Sequence, residues 1–311
     1  MLLIPQATVR ELLDLDRLLD GLEGAFAELS AGRASVPTRI AARAPAGLLA
    51  AMPGYVGGVL ASKLVTVFPG NHTAALPSHQ AVILLFDAAT GSPLAVMDGT
   101  HITAARTGAA SALSTRLLAR ADSRVLAVLG AGVQGRSHVL AHLHVRDFQE
   151  IRIASRRRES AEQLAEAVGG RTCATYEEAV DGADVVCFCT DASAPFSRPE
   201  WFRGGAHITS VGASAGGPEL DGATVAAADV LAVEHRDAFR PYPGGAHELQ
   251  GQDPDRAVEL GEVISGARPG RTATAQLTVY KSMGHAVEDA VAANLVYEAA
   301  RQAGAGSTFD L

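Results

Sequence analysis

The sequence predicts an α/β fold in which a parallel sheet carries helices on both faces, and three observations predict it. The first is the stretch 125–135, Val-Leu-Ala-Val-Leu-Gly-Ala-Gly-Val-Gln-Gly, an uncharged apolar run of strand length followed by Gly130, Gly132 and Gly135. The second is the alternation that follows: a strand at 125–129, a helix at about 133–145, a strand at 151–154, a helix at about 159–168, and strands at 184–189 and 206–211. Strands separated by helices pair in parallel with helices on both faces, and such doubly buried strands read as continuous apolar runs. The third is size: 311 residues, 48% hydrophobic and 19% charged, suffice for two domains and a substantial core.

The glycine spacing gives the sheet a ligand. Between a strand and a helix, the first glycine permits a tight turn, the second lets the backbone approach a pyrophosphate, and the third lets the helix pack close to the strand. The free N–H groups and positive dipole end of that helix then face the phosphates. Gly130, Gly132, Val133, Gln134 and Gly135 are therefore candidate dinucleotide-binding residues. An acid at the end of the second strand would hydrogen-bond the adenosine ribose and favour NAD. Ser155, Arg156, Arg157 and Arg158 stand there instead, a hydroxyl and three cations where a 2′-phosphate lies, so NADP is favoured with NAD as the alternative.

Composition narrows the function classes. Lys and Arg total 26 against 34 Asp and Glu, and a net charge of −8 argues against a nucleic-acid surface. No uninterrupted apolar run of about 18 residues is present, and the N-terminus lacks the zones of a signal peptide, so a cytoplasmic protein is expected. Cys173, Cys187 and Cys189 are odd in number and lack metal spacing, and read as buried free thiols. His138 and His142 lie one helical turn apart, but with no third ligand in sight they read as packing or solvent-facing residues and no metal is expected.

The remaining elements follow from periodicity. Thr8 and Glu11 have capping-box spacing, and Leu15, Leu18, Leu22, Phe26 and Leu29 recur at helical intervals, predicting one amphipathic helix that ends near Gly32. From 37 to 96, short runs of small and β-branched residues broken by Pro45, Pro53, Gly57, Gly58, Pro69, Gly70 and Gly91 predict an antiparallel sheet or open barrel. Asp98, a candidate N-cap, opens a long helix with Gly99 and Thr100 that reaches about Arg120. A Gly-, Ala- and Ser-rich loop at 212–222 leaves the fourth strand where ligands of such sheets bind. A strand at 276–281 and a closing helix at 285–301 complete the chain.

Three cations lie in apolar segments: Arg39 in Pro-Thr-Arg-Ile, Lys63 in Ala-Ser-Lys-Leu-Val, and Arg106 in Ala-Ala-Arg-Thr-Gly. Each alone reads as a side chain that snorkels to the surface. Together they form a candidate carboxylate pocket, Arg supplying a planar fork and Lys a point charge.

Several segments together resemble the ornithine cyclodeaminase and mu-crystallin family, dinucleotide-dependent enzymes that act on amino and imino acids. They are 63–71 (Lys-Leu-Val-Thr-Val-Phe-Pro-Gly-Asn), 97–111 (Met-Asp-Gly-Thr-His-Ile-Thr-Ala-Ala-Arg-Thr-Gly-Ala-Ala-Ser), 130–135, Gly270 with Arg271, and 281–289 (Lys-Ser-Met-Gly-His-Ala-Val-Glu-Asp). The resemblance implies a homodimer whose subunit has a Rossmann-type NAD(P)-binding domain, 119–274, inserted in an α+β substrate-binding and dimerisation domain, 1–118 plus 275–311. It implies that Arg39, Lys63 and Arg106 hold a substrate α-carboxylate, with Lys63 and Arg106 catalytic. Thr107, Thr190 and Ser282 join the expected cofactor-binding set.

The sequence also departs from the family. Ornithine-cyclising members carry an acid about two residues past Gly212 and a lysine a few residues later, whereas 212–219 here reads Gly-Ala-Ser-Ala-Gly-Gly-Pro-Glu. A second acid, three residues before the proline matching Pro53, is Ala50. A distal ammonium lacks its partners, and an unpaired charge in a closed site is costly. The expected activity is therefore reduction of small imino acids of the ketimine or Δ1-pyrroline-2-carboxylate type, or oxidation of the matching amino acid. Lys63 passes a proton to or from the nitrogen. Ala50, Met52, Val65 and Phe68 are expected pocket walls. The alternatives are conversion of L-ornithine to L-proline and ammonia, and nucleotide binding without turnover.

Overall fold

The computed structural model describes residues 1–74, 76–212, 217–242 and 244–310. The chain divides into two units, Met1–Arg106 with His285–Leu311, and Thr107–Gly284.

The first unit opens with strand β1 (Leu2–Ile4) and helices α1 (Gln6–Leu12) and α2 (Leu15–Ser30). The expected single helix is thus two. Asp14 breaks it, because its side chain accepts the backbone N–H of Arg17 at 2.9 Å and so starts a new helix, while Thr8 and Glu11 lie inside α1 rather than capping it. Strands β2 (Ile40–Ala44), β3 (Gly47–Val56), β4 (Val59–Val67), β5 (His79–Phe86) and β6 (Pro93–Asp98) form an antiparallel ladder. Gly57 and Gly58 join β3 to β4 with φ of 57° and 84°, the double positive φ that a tight two-residue hairpin requires. β1 adds in parallel to β6, and the sheet stays open rather than closing into a barrel. Helix α3 (Gly99–Leu118) then starts as expected, with Asp98 accepting the His101 N–H at 2.8 Å.

In the second unit the chain runs through β7 (Val125–Leu129), α4 (Val133–Val145), β8 (Glu150–Ala154), α5 (Arg158–Val168), β9 (Arg171–Thr172), α6 (Tyr176–Val180) and β10 (Val185–Phe188). It continues through β11 (His207–Ser210), α7 (Gly222–Ala227), β12 (Val230–Val233), β13 (Val258–Glu259), α8 (Leu260–Ile264) and β14 (Thr278–Lys281). All strand pairs are parallel, in the order β13-β12-β14-β11-β10-β7-β8-β9. The order reverses between β7 and β10, the crevice where open parallel sheets hold ligands. The sheet is buried on both faces: Ala127 and Leu129 pack into one cluster, Leu126 and Val128 into another. This is why β7 and β10 read as unbroken apolar runs.

β14 pairs with β11 and β12, and the end of α3 from Thr107 onward also belongs with this unit. The sequence expects boundaries at 118/119 and 274/275, and the division into units falls at 106/107 and 284/285. A strand whose ladder lies in the parallel sheet cannot be assigned to the outer domain by its place near the C-terminus. β12 and β13 were not foreseen, since Val230–Val233 follows an alanine-rich stretch that gives it no separate pattern.

The chain re-enters the first unit with α9 (Ala286–Ala303) and β15 (Ser307–Thr308), which pairs with β1. α9 packs on β3, β4 and β5 and against α2. The inward positions of those strands, Ala50, Met52, Val65 and Ala81, form a cluster with Ala286. No helix among the described residues is long and apolar enough to cross a membrane.

Candidate active site

In the first unit Lys63 sits on β4, directly between Met52 on β3 and Ile83 on β5, and is 1% exposed. An ammonium in that setting needs an anion, and α9 supplies it. Asp289 Oδ1 accepts from Lys63 Nζ at 3.0 Å and from Arg106 Nε at 3.1 Å, while its Oδ2 lies 2.8 Å from Nζ. Arg106, on α3, also donates from Nη1 to Glu288 Oε2 at 3.0 Å. Glu288 is held in turn by the His285 N–H, which donates to Oε1 at 2.6 Å in a capping box.

Two cations and two carboxylates are thus buried together, each within hydrogen-bond reach of an opposite charge. Burial pulls the Lys63 ammonium down to about 8; Asp289 opposes this, and Arg106 and Arg39 add to it. For Asp289, burial favours the neutral acid, but the Lys63 and Arg106 charges outweigh it and hold the carboxyl below its usual range. Arg39 is half-buried in the segment leading to β2, and its charge acts on Lys63. The three expected cations are in one electrostatic neighbourhood. Of the expected walls, Ala50, Met52 and Val65 share the inward face, and the Phe68 ring lies over the position of Gly47 at the end of the ladder. The sequence assigns Glu288 and Asp289 no role, although their neighbours Ala286, Val287 and Ala290 show that this turn of the helix is buried.

In the second unit the glycine turn has the geometry its spacing predicts. Gly130 has φ of 104°, and a Cβ there would meet the Cys189 carbonyl oxygen at 2.4 Å. A Cβ on Gly135 would lie 1.9 Å from the Gly130 carbonyl, so α4 can pack on β7 only through a glycine. Gly132 has open space where its Cβ would be and caps α4 without any side-chain bond, leaving the first-turn N–H groups available to an anion. These residues fit a dinucleotide. Val133 is 70% exposed at the start of α4, and Gln134 beside it has its Oε1 buried without a hydrogen-bond partner.

Past β8, Ser155 is half-buried and Arg156 and Arg157 are exposed, with no carboxylate partner among the described residues. Arg158 is tied to Glu162 at 2.7 Å. Thr107 is buried. Thr190 gives both its N–H and its hydroxyl to Glu219 Oε2, at 2.9 and 2.7 Å, and Ser282 donates to Glu234 at 2.6 Å. These two expected cofactor contacts therefore anchor buried carboxylates that the sequence reading did not single out. The segment 213–216, where cyclising members carry an acid, lies outside the described residues.

His138 and His142 are fully buried packing residues. Each Nδ1 donates to the carbonyl four residues earlier, Gln134 at 2.7 Å and His138 at 2.8 Å, so each Nε2 accepts, from Ser111 and Thr115. Burial lowers their pKa values to about 4 and about 3. The three cysteines are free and buried.

The model of the ornithine cyclodeaminase/mu-crystallin family matches residues 2–304. The ketimine reductase mu-crystallin of Mus musculus is 45% identical over 291 residues, covering 90% of this chain and 91% of that protein. Among solved structures, the Δ1-pyrroline-2-carboxylate reductase of Thermococcus litoralis in complex with NADH and L-proline superposes with a TM-score of 0.92 at 34% identity, over 99% of this chain and 100% of that one. An archaeal alanine dehydrogenase dimer with bound NAD gives a TM-score of 0.92 at 30% identity, over 100% of this chain and 99% of that one.

Proposed function

The chain belongs to the ornithine cyclodeaminase/mu-crystallin family, and from that premise we propose that it reduces small imino acids, of the ketimine or Δ1-pyrroline-2-carboxylate type, with NAD(P)H. The observation that carries this reading is the buried cluster of Lys63 and Arg106 on Asp289 and Glu288. The relatives named for ketimine and pyrroline-carboxylate reduction support it.

With its pyrophosphate held at the glycine turn, the reduced dinucleotide would supply a hydride, and with it both electrons of the reduction. Arg106 and Arg39 anchor the α-carboxylate, and Arg106 is held in place by Glu288 and Asp289 so that its orientation does not have to be found anew at each turnover. Lys63 gives one proton to the imine nitrogen, and the iminium cation that forms makes the α-carbon the electrophile. The carbon–nitrogen double bond becomes single, the α-carbon gains hydrogen, and Lys63 recovers its proton from solvent. Its depressed pKa suits this role, because an ammonium near 8 releases a proton more readily than an ordinary lysine.

Arg156 and Arg157, exposed and without carboxylate partners among the described residues, support NADP as the preferred form. Cyclodeamination is disfavoured by Ala50, which offers nothing to a distal ammonium. The dimeric alanine dehydrogenase supports a homodimer here, and the outward face of the antiparallel sheet, with Ile40, Leu49, Tyr55 and Val82 exposed, is the surface it would use.

The test is to offer NADPH or NADH with Δ1-pyrroline-2-carboxylate, Δ1-piperideine-2-carboxylate, or pyruvate with ammonia or methylamine, beside an ornithine-to-proline assay with NAD. Consumption of reduced cofactor with a cyclic imine, faster with NADPH, is expected. Proline formed from ornithine without net cofactor change would restore cyclodeamination. Binding of nucleotide without any turnover would leave a non-catalytic protein.

A further inference from the structure

The chain contains 24 arginines and two lysines, Lys63 and Lys281. Both lysines are buried, at 1% and 0% exposure. Lysine differs from the arginine used elsewhere in being a compact charge with three donors and not a flat fork.

The two differ in how those donors are used. Lys63 meets one carboxylate, that of Asp289, and its remaining N–H groups are not taken up among the described residues. Lys281 is saturated: three N–H groups reach three acceptors, Ser210 Oγ at 3.1 Å, the Gly212 carbonyl at 2.6 Å and Glu248 Oε1 at 3.0 Å. Glu248 Oε1 also accepts the Glu219 N–H at 3.3 Å. Glu219, 1% exposed, then gathers the strand ends. Its Oε1 accepts from Ser210 Oγ, Val211 N and Gly212 N, and its Oε2 accepts from both donors of Thr190. Gly212 is held from both sides, its carbonyl by Lys281 and its N–H by Glu219, and a Cβ there would sit 2.5 Å from the Glu219 carboxyl carbon.

This network ties together the carboxyl ends of β10, β11 and β14. In the same sheet the glycine turn follows β7 and the arginines follow β8, on the other side of the point where strand order reverses. A dinucleotide crossing that point with its pyrophosphate at the glycine turn and its adenosine over β8 lays its nicotinamide half over β10, β11 and β14. We propose that Lys281 is a positioning residue for the nicotinamide end of the cofactor, acting through Gly212 and Glu219, and that it passes no proton. The inference rests on the second unit binding a dinucleotide. It assigns the chain's two buried lysines different tasks, proton transfer to Lys63 and shaping of the cofactor floor to Lys281.

The test compares nucleotides with and without the nicotinamide. NADH, NADPH, ADP-ribose and 2′-phospho-ADP-ribose are titrated into the wild type, Lys281→Met and Gly212→Ala. Both variants are expected to weaken NAD(P)H binding by about tenfold or more, since Lys281→Met removes the three bonds of the ammonium and the Cβ of Gly212→Ala runs into the Glu219 carboxylate, and to leave the two ADP-riboses unaffected. The alkaline limb of kcat/KM for the imino acid stays in place in Lys281→Met. Unchanged NAD(P)H affinity, or equal weakening of all four nucleotides, would overturn the proposal.

Should the variants fail to fold, lysine-selective labelling of the wild type gives two side-chain NMR signals, and Lys63→Met assigns them. The Lys281 signal is expected to move with NADH and stay with ADP-ribose. A shift of equal size with both would overturn the proposal. A wild type that binds none of the four nucleotides is a separate failure, of the proposed function itself.

Discussion

Lys63 faces inward from β4 between two apolar neighbours, and among the described residues Asp289 is its anionic partner. As a proton donor it must be charged, so kcat/KM for the imino acid is expected to fall as pH rises through about 8. Burial pulls the ammonium down, Arg106 and Arg39 push it further, and Asp289 opposes them. Asp289→Asn should therefore move the alkaline limb to lower pH by about 1 to 3 units, measured from pH–rate profiles against wild type. An unmoved limb would show that Asp289 does not govern the proton. Lys63→Met should lower kcat by about a hundredfold to ten-thousandfold, while Arg106→Ala should raise KM as well, because it removes the fork and leaves Glu288 buried without its cation. The cations were legible in the sequence because a charge in an apolar run stands out. The acids were not, since Glu288 and Asp289 in the first turn of a helix read as ordinary N-terminal charges.

At the scale of the element, the glycine turn separates folding from binding. Gly130 and Gly135 are required by backbone contacts, but Gly132 has open space around its missing side chain. Gly132→Ala should leave the melting temperature of the nucleotide-free protein within about 2 °C of wild type while weakening NAD(P)H at least tenfold, by filling the approach of the pyrophosphate; equal affinity would place the phosphates elsewhere. The packing of α4 carries a pH dependence of its own. His138 and His142 stay neutral when folded, with pKa values of about 4 and about 3, whereas unfolded histidine protonates near 6.5. The unfolded chain thus binds more protons below pH 6.5, and stability falls with pH from there down toward the folded values. Between pH 7 and 5 the loss is about 2 kcal/mol for each histidine, read as a drop in urea midpoint that His142→Gln reduces. The helices and strands around the turn were legible from period and punctuation. The break at Asp14 was not, because the apolar period runs across it and only the cap reveals two helices. That β14 pairs with β11 and β12 is not legible either, because a strand's partners are set by tertiary pairing and not by its own residues.

For the whole molecule, the antiparallel sheet offers Ile40, Leu49, Tyr55 and Val82 outward, more apolar surface than a lone edge of a monomer needs. Light scattering should give a mass about twice 32.1 kDa, and Leu49→Glu with Val82→Glu should yield monomers; a wild-type monomer would rule the surface out. The insertion of one unit within the other is legible only by resemblance, since nothing local in residues 100–125 announces that the chain will return to its first unit after 284. In the proposed reaction the α-carbon of an imino acid receives its hydrogen from the reduced nicotinamide. This is tested most directly by supplying NADPH deuterated at the transferring position of C4 with Δ1-pyrroline-2-carboxylate and reading the proline by mass and NMR. One deuterium per proline, at the α-carbon, is expected, with one equivalent of NADP formed. Proline without deuterium, or no proline at all while the nucleotide is bound, would contradict it.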